Sequence, residues 1–158
     1  MIQLLFGEVR MPPDADTPVL LLREAEGPRH LAVWITAAGG NAILSALEGD
    51  EDGPTTHDLM LEALSVLDAV VEHVRITGFH DGHFTAEASV NGHAVACRVS
   101  DGVALALRSG APIFAPESLL DQVGLVLGDE ASGDPEEQVE QFREFLDQIN
   151  ADDFDAEP

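Results

Sequence analysis

Residues 70–110 read VVEHVRITGFHDGHFTAEASVNGHAVACRVSDGVALALRSG, and this stretch decides the fold. Val70 to Phe79 is rich in β-branched and apolar residues and reads as a strand. His80-Asp81-Gly82 is a glycine-containing turn, after which His83 to Val90 alternates apolar and polar side chains. Asn91-Gly92 is the strongest short hairpin signal in the chain, because both positions of such a turn favour positive φ. His93 to Val99 pairs back as a third strand. The period then changes. Ser100 is expected to cap a helix over Asp101 to Ser109, which Gly110 closes. Three antiparallel strands running into a helix make this an α+β protein.

Upstream, Ile2 to Val9 alternates in part, and Pro12 to Asp16 is a turn or short loop. Val19-Leu20-Leu21-Leu22-Arg23 is an apolar run suited to a buried strand. Glu26 to Arg29 turns the chain, and His30 to Ile35 returns, so an antiparallel meander is expected here. Thr36 opens a helix with Ala42, Ile43, Ala46 and Leu47 at helical spacing. Gly39 and Gly40 lie near its start, where a backbone can approach a neighbour closely. Gly49 to Pro54 ends it. Thr55 or Thr56 caps a second helix with Asp58 in its first turn, and Leu59, Leu61, Ala63, Leu64, Val66 and Leu67 suit burial on more than one side. Downstream, Ala111 to Phe114 reads as a short strand, and Pro116-Glu117-Ser118 opens a short helix to about Val123.

Composition shifts after Leu127. Residues 128–135 read as a linker, 136–150 as an acidic amphipathic helix with Val139, Phe142, Phe145, Leu146 and Ile149 on one face, and 151–158 as an acidic tail. The expectation is one domain over residues 1–127: a mixed or antiparallel sheet of six or seven strands packed with three or four helices, followed by the C-terminal helix.

The chain has 158 residues, 45% of them apolar, enough to bury a core without metals or cross-links. A single cysteine, Cys97, excludes an internal disulfide and fits a reducing compartment; in its alternating run it reads as a small buried strand residue. No stretch of 18 apolar residues exists, so no membrane span is expected. The start MIQLLFGEVRM lacks a basic region and a small-residue cleavage site, which predicts a cytoplasmic protein. Thirty acidic residues face seven basic ones, all arginine, for a formal charge of −23. Such a chain repels nucleic acid at long range, so any work on nucleic acid needs local arginines or divalent cations.

Two constellations could carry chemistry: Pro54-Thr55-Thr56-His57-Asp58-Leu59 and Arg98-Val99-Ser100-Asp101-Gly102 with Arg108 beyond. Each puts polar groups at a helix N-terminus, where unpaired N–H donors and a positive partial charge can hold a phosphate. The plain alternative is capping, by Thr56 and Ser100, with Asp58 and Asp101 favourable in the first turns. No glycine-rich phosphate loop and no Ser/His/Asp pattern is present, which argues against a nucleotide triphosphatase or a serine hydrolase. His73, His80, His83 and His93 surround the hairpin, Trp34 reads as core or subunit interface, and His30 as a strand or turn residue.

The two constellations resemble the bifunctional nuclease family. Its pattern runs Arg-Pro-x-Thr-His-Asp-Leu, then a hairpin, then Arg-Pro-Ser-Asp-Ala-Ile-Ala-Leu-Ala. This chain matches it at Pro54, Thr56, His57, Asp58 and Leu59, at Val74, Ile76, Thr77, Phe84 and Ala86 in the hairpin, and at Arg98, Ser100, Asp101, Ala104, Leu105 and Ala106. The tail is similar through Phe142-Arg143-Glu144-Phe145-Leu146-Asp147. It departs at Gly53, Ala96 and Asn41, where the family carries charge, and at Val99, where it carries proline.

The resemblance implies hydrolysis of RNA and DNA phosphodiesters but assigns no residue its role; that chemistry needs a water activator and charge stabilisation, for which the expectation from the residues themselves is Mg²⁺ or Mn²⁺ held by Asp58 and Asp101. His57 would act as acid or base and Arg98 would face the phosphate. Ser100 completes the catalytic set, and Thr56 and Arg108 would bind substrate. The resemblance also points to a homodimer. The competing expectation is a non-catalytic regulatory module whose acidic C-terminal helix docks on a basic protein. The test between them is whether Asp58, Asp101 and Arg98 converge on one solvent-reachable cleft.

Overall fold

The computed structural model describes residues 1–49 and 52–127. The linker, amphipathic helix and acidic tail expected from residue 128 onward, and with them the docking on a basic protein, lie outside the described residues.

The chain order is β1 (Ile2–Arg10), β2 (Val19–Glu24), β3 (Arg29–Trp34), α1 (Ala37–Glu48), α2 (Thr56–Val66), β4 (Val71–His80), β5 (His83–Val90), β6 (His93–Cys97), α3 (Val99–Ser109), β7 (Ile113–Ala115), α4 (Glu117–Val123) and β8 (Leu125–Val126). Among the described residues eight strands form one mixed sheet in the order β6-β5-β4-β7-β1-β2-β3-β8. The architecture is α+β as expected. The strand count exceeds the expected six or seven because β8, two residues long, pairs with Arg29 and His30 at the free edge of β3.

Both expected blocks form. β1, β2 and β3 make an antiparallel meander, and β4, β5 and β6 make a second one. The turns of the second block are set by their residues. Asp81 and Gly82 have φ of 50° and 77°, and Asn91 and Gly92 have 47° and 77°. Positive φ at both central positions matches the twist of the flanking strands. β7 joins the blocks, pairing antiparallel with β1 and parallel with β4. The parallel pair requires a crossover, which α3 supplies.

β2 is apolar without alternation because both its faces are covered. Leu20 and Leu22 point with Leu31, Val33, Ile43, Val74 and Val103 into the main core, and Val19 and Leu21 join Ala32 in a second cluster against Trp34, Leu125 and Leu127. Leu20, Leu22, Leu31 and Ile43 are all fully buried; each such side chain contributes roughly 1.5–3 kcal/mol of transfer free energy. Trp34 thus packs within its own chain.

α3 is the central helix: Val99, Ser100 and every residue from Gly102 to Ala106 are buried. The absence of a Cβ at Gly102 lets it lie on β4, since a methyl there would meet Val74 Cγ1 at 2.8 Å. α2 differs from expectation. None of its residues is buried; Leu61 and Leu64 touch the core on one side, while Leu59, Val66 and Leu67 are 65–75% exposed. It packs mainly on α3, and its second apolar side meets solvent. No helix of the described residues is long and apolar enough to cross a membrane.

Candidate functional site

The opening of α2 is a closed capping box. Thr55 has extended backbone, φ −82° and ψ 175°, which turns its side chain back over the helix. Its hydroxyl accepts from the Asp58 amide, while Asp58 Oδ2 accepts from the Thr55 amide at 2.7 Å and from the Thr55 hydroxyl at 2.8 Å. The cap is therefore Thr55 rather than Thr56, which is the exposed first helical residue. Asp58 Oδ1 accepts from Arg108 Nε at 3.0 Å. The backbone and hydroxyl donors of Thr55, joined by the Arg108 charge, hold the Asp58 carboxyl below the usual aspartate range despite some desolvation.

The opening of α3 differs. The helix begins at Val99, so the cap position falls on Arg98, which supplies no side-chain hydrogen bond to it. Ser100, expected as the cap, is instead the second helical residue and is 4% exposed. β6 ends at Cys97, two residues short of the expected Val99, so the cap position falls ahead of Ser100, which lies buried against α1. There Gly39 gives it room: a Cβ at Gly39 would lie 2.7 Å from Ser100 Oγ. Among the described residues the Ser100 hydroxyl has no hydrogen-bond partner.

The two openings are joined by one contact. His57 Nε2 lies 3.0 Å from Asp101 Oδ1, and Asp101 Oδ2 accepts from Arg98 Nε at 2.7 Å. An ionised carboxylate can only accept, so Nε2 is the donor in this contact and Nδ1 is the ring nitrogen turned away from Asp101. Burial opposes ionisation of Asp101, but the bonds from Arg98 and His57 outweigh it and lower its pKa. The bond from Arg98 to Asp101 runs through Nε, and the Arg98 side chain is 65% exposed.

The convergence is partial. Arg98, Val99 and Ser100 line a cleft of about 200 Å³ together with Thr36 and Phe84. Asp58 and Arg108 line a separate, more open depression of about 390 Å³ beside Gly53 and Pro54. The His57–Asp101 bond bridges the openings without merging the two cavities. Arg108, expected to meet substrate, is 6% exposed in its side chain and bonds Asp58 and the carbonyls of Ala42 and Ala104. It acts as a fastener between helices.

The donors expected to hold Mg²⁺ or Mn²⁺ do not fit a resident ion in this arrangement. All four carboxylate oxygens of Asp58 and Asp101 accept from protein donors, and the described residues contain no group of three or more His, Cys, Asp or Glu placed to share a metal. Of the hairpin histidines, His73 stands edge-on to Phe114 and His80 pairs across the turn with His83. Burial pushes the Cys97 thiol up, away from reactivity. Residues that sequence reasoning did not single out for this site are Thr36 and Val99 on the cleft wall; the glycine pair beside Thr36 was the only hint that α1 comes close to α3.

Two comparisons bear on the family of the chain. The profile of the Bifunctional nuclease domain matches residues 20–128, which span β2 through β8 and include both constellations. The chain is also similar to the uncharacterized proteins MT1877 and Rv1829 of two Mycobacterium tuberculosis strains, CDC 1551 and H37Rv. With each it shares 39% identity over 155 residues, covering 94% of both chains. With the Thr-His-Asp opening of α2 bonded to the Arg-x-Ser-Asp opening of α3 inside the matched span, the chain belongs to the bifunctional nuclease domain family.

Proposed function

We propose that this protein hydrolyses phosphodiester bonds of RNA or DNA, using the His57–Asp101–Arg98 unit. The observation that carries the reading is the 3.0 Å contact between His57 Nε2 and Asp101 Oδ1, which holds one imidazole tautomer between two helix openings. Asp101 orients the ring and stabilises the imidazolium that forms when Nδ1 takes a proton from water. The resulting hydroxide oxygen bonds to phosphorus, and one ester P–O bond breaks. The imidazolium returns its proton to the departing oxygen. The Nη groups of Arg98 and the first-turn amides of α3 face the charge that builds on the phosphoryl oxygens. The test is cleavage of RNA and single-stranded DNA by purified protein beside His57→Ala and Asp101→Asn. Each variant is expected to lose about 10²–10⁴-fold in kcat with unchanged circular dichroism. Equal activity in all three would sink the assignment.

A second copy of the chain also fits the exposed side of α2. Leu59, Val66 and Leu67 there are 65–75% exposed, and Val70 beside them is 61% exposed, a grouping unusual for a solvated monomer surface. A homodimer through this side predicts twice the chain mass in light scattering and a monomer for Leu67→Glu.

A further inference from the structure

We infer that the cleft at the opening of α3 is a seat for one unpaired nucleotide, with the base against the apolar wall and the phosphate at Arg98. This deepens the hydrolase reading and rests on it for the phosphate. Three independent observations meet in this cleft. Its wall is apolar and partly aromatic, formed by Val33, Ile35 and Phe84 with Trp34 at its margin. Its floor carries the Ser100 hydroxyl, which belongs to a residue 4% exposed and has no partner among the described residues. Its rim carries Arg98 and the start of α3, the one opening of α1, α2 and α3 that no side chain caps.

Size and charge decide the class of ligand. The volume of about 200 Å³ lies below the roughly 300–1,000 Å³ of pockets for larger molecules, so it admits a single small unit and excludes a duplex. An unpaired base offers a flat apolar face for Phe84 and edge groups for Ser100, and such bases are the ones proteins stack on aromatic rings. With a formal charge of −23, the surface cannot track a long phosphate backbone. Affinity must come from short-range contact with one base and one phosphate.

The chain's single tryptophan, Trp34, lies at this cleft and reports on it. Its fluorescence is followed on titration with adenosine 5′-monophosphate, adenosine and inorganic phosphate. The monophosphate is expected to change the emission and to bind at least tenfold tighter than phosphate. Ser100→Ala and Phe84→Leu are each expected to weaken it at least fivefold. Raising salt from 50 to 200 mM should weaken it no more than about threefold, as for one cation contact. Equal affinity for phosphate and monophosphate, or binding untouched by Ser100→Ala, overturns the inference; Ser100→Ala keeps this decision available if Phe84→Leu does not fold. Polymer cleavage with no tryptophan response removes the nucleotide seat and leaves hydrolysis standing. A tryptophan response without cleavage of any polymer leaves the seat and removes hydrolysis.

Discussion

Arg108 Nε donates to Asp58 Oδ1 at 3.0 Å, and the same guanidinium donates through Nη1 to the carbonyls of Ala42 at 2.9 Å and Ala104 at 3.2 Å. One side chain thereby fixes α2 to α1 and α3, and sets the angle at which His57, next to Asp58, meets Asp101. The charge pair that resembles part of a reaction centre is the joint that orients the true contact.

Removing this joint is expected to lower stability. Arg108→Ala removes the three bonds that tie the Asp58 carboxylate to part-buried carbonyls of α1 and α3 and should lower Tm on the order of 5–10 °C in thermal denaturation. Arg108→Lys should recover little, because an ammonium cannot reproduce the planar fork that reaches all three acceptors. A Tm within 1–2 °C of the parent for Arg108→Ala would show that the joint is ornamental.

Acid should weaken the fold through the two aspartates. Both Asp58 and Asp101 have lowered pKa values in the folded chain. The unfolded chain therefore takes up protons first as pH falls. The stability these carboxylates contribute is complete above about pH 4, and is lost progressively as pH drops below it through the depressed folded values. Tm measured from pH 7 down to pH 2.5 should bend downward below about pH 4. Asp58→Asn should flatten that bend; a bend of unchanged depth would assign the acid limb elsewhere.

The contact of α1 with α3 is a matter of one methyl group. Gly39→Ala would place a Cβ 2.7 Å from Ser100 Oγ and 2.8 Å from Ser100 Cβ, so the helices must part, at a cost of about 1–3 kcal/mol. Ser100→Gly in the same chain removes both atoms and should restore most of the loss. Failure of the double variant to recover in urea denaturation would mean that Gly39 is required for another reason.

Chelation should leave hydrolysis nearly intact. Because Asp58 and Asp101 spend all four oxygens on protein donors, protein dialysed against EDTA is expected to keep activity within about threefold. A loss beyond tenfold that Mn²⁺ restores would show that His57 and Asp101 rearrange around an ion, and would replace the metal-free scheme.

Much of the fold is legible because its turns and strands are encoded locally. Asp81-Gly82 and Asn91-Gly92 supply the positive φ their hairpins need, and the apolar run Val19 to Leu22 announces a strand covered on both sides. What escapes is set by tertiary contact. β8 is two residues held by the edge of β3, with no room for a pattern. Ser100 has the chemistry of a cap, yet the helix starts at Val99, two residues before the expected Asp101, and Ser100 packs against the glycine opposite it in α1. The motif residues 57, 58, 98 and 101 stand out in sequence, while their pairing does not: His57 meets Asp101 and Asp58 meets Arg108, partners 44 and 50 residues away.

β7 is three residues long and is the seam where two self-contained meanders become one sheet. The nucleotide cleft straddles that seam, taking Val33 to Thr36 from one meander and Gly82 to Phe84 from the other. These strands stand five places apart in the sheet, so the bulged strands β1 and β4 must curl it around α3 to bring them face to face. Neither half of the polypeptide possesses the cleft. It exists only where both meanders are joined through β7, so a chain cut between them lacks the cleft.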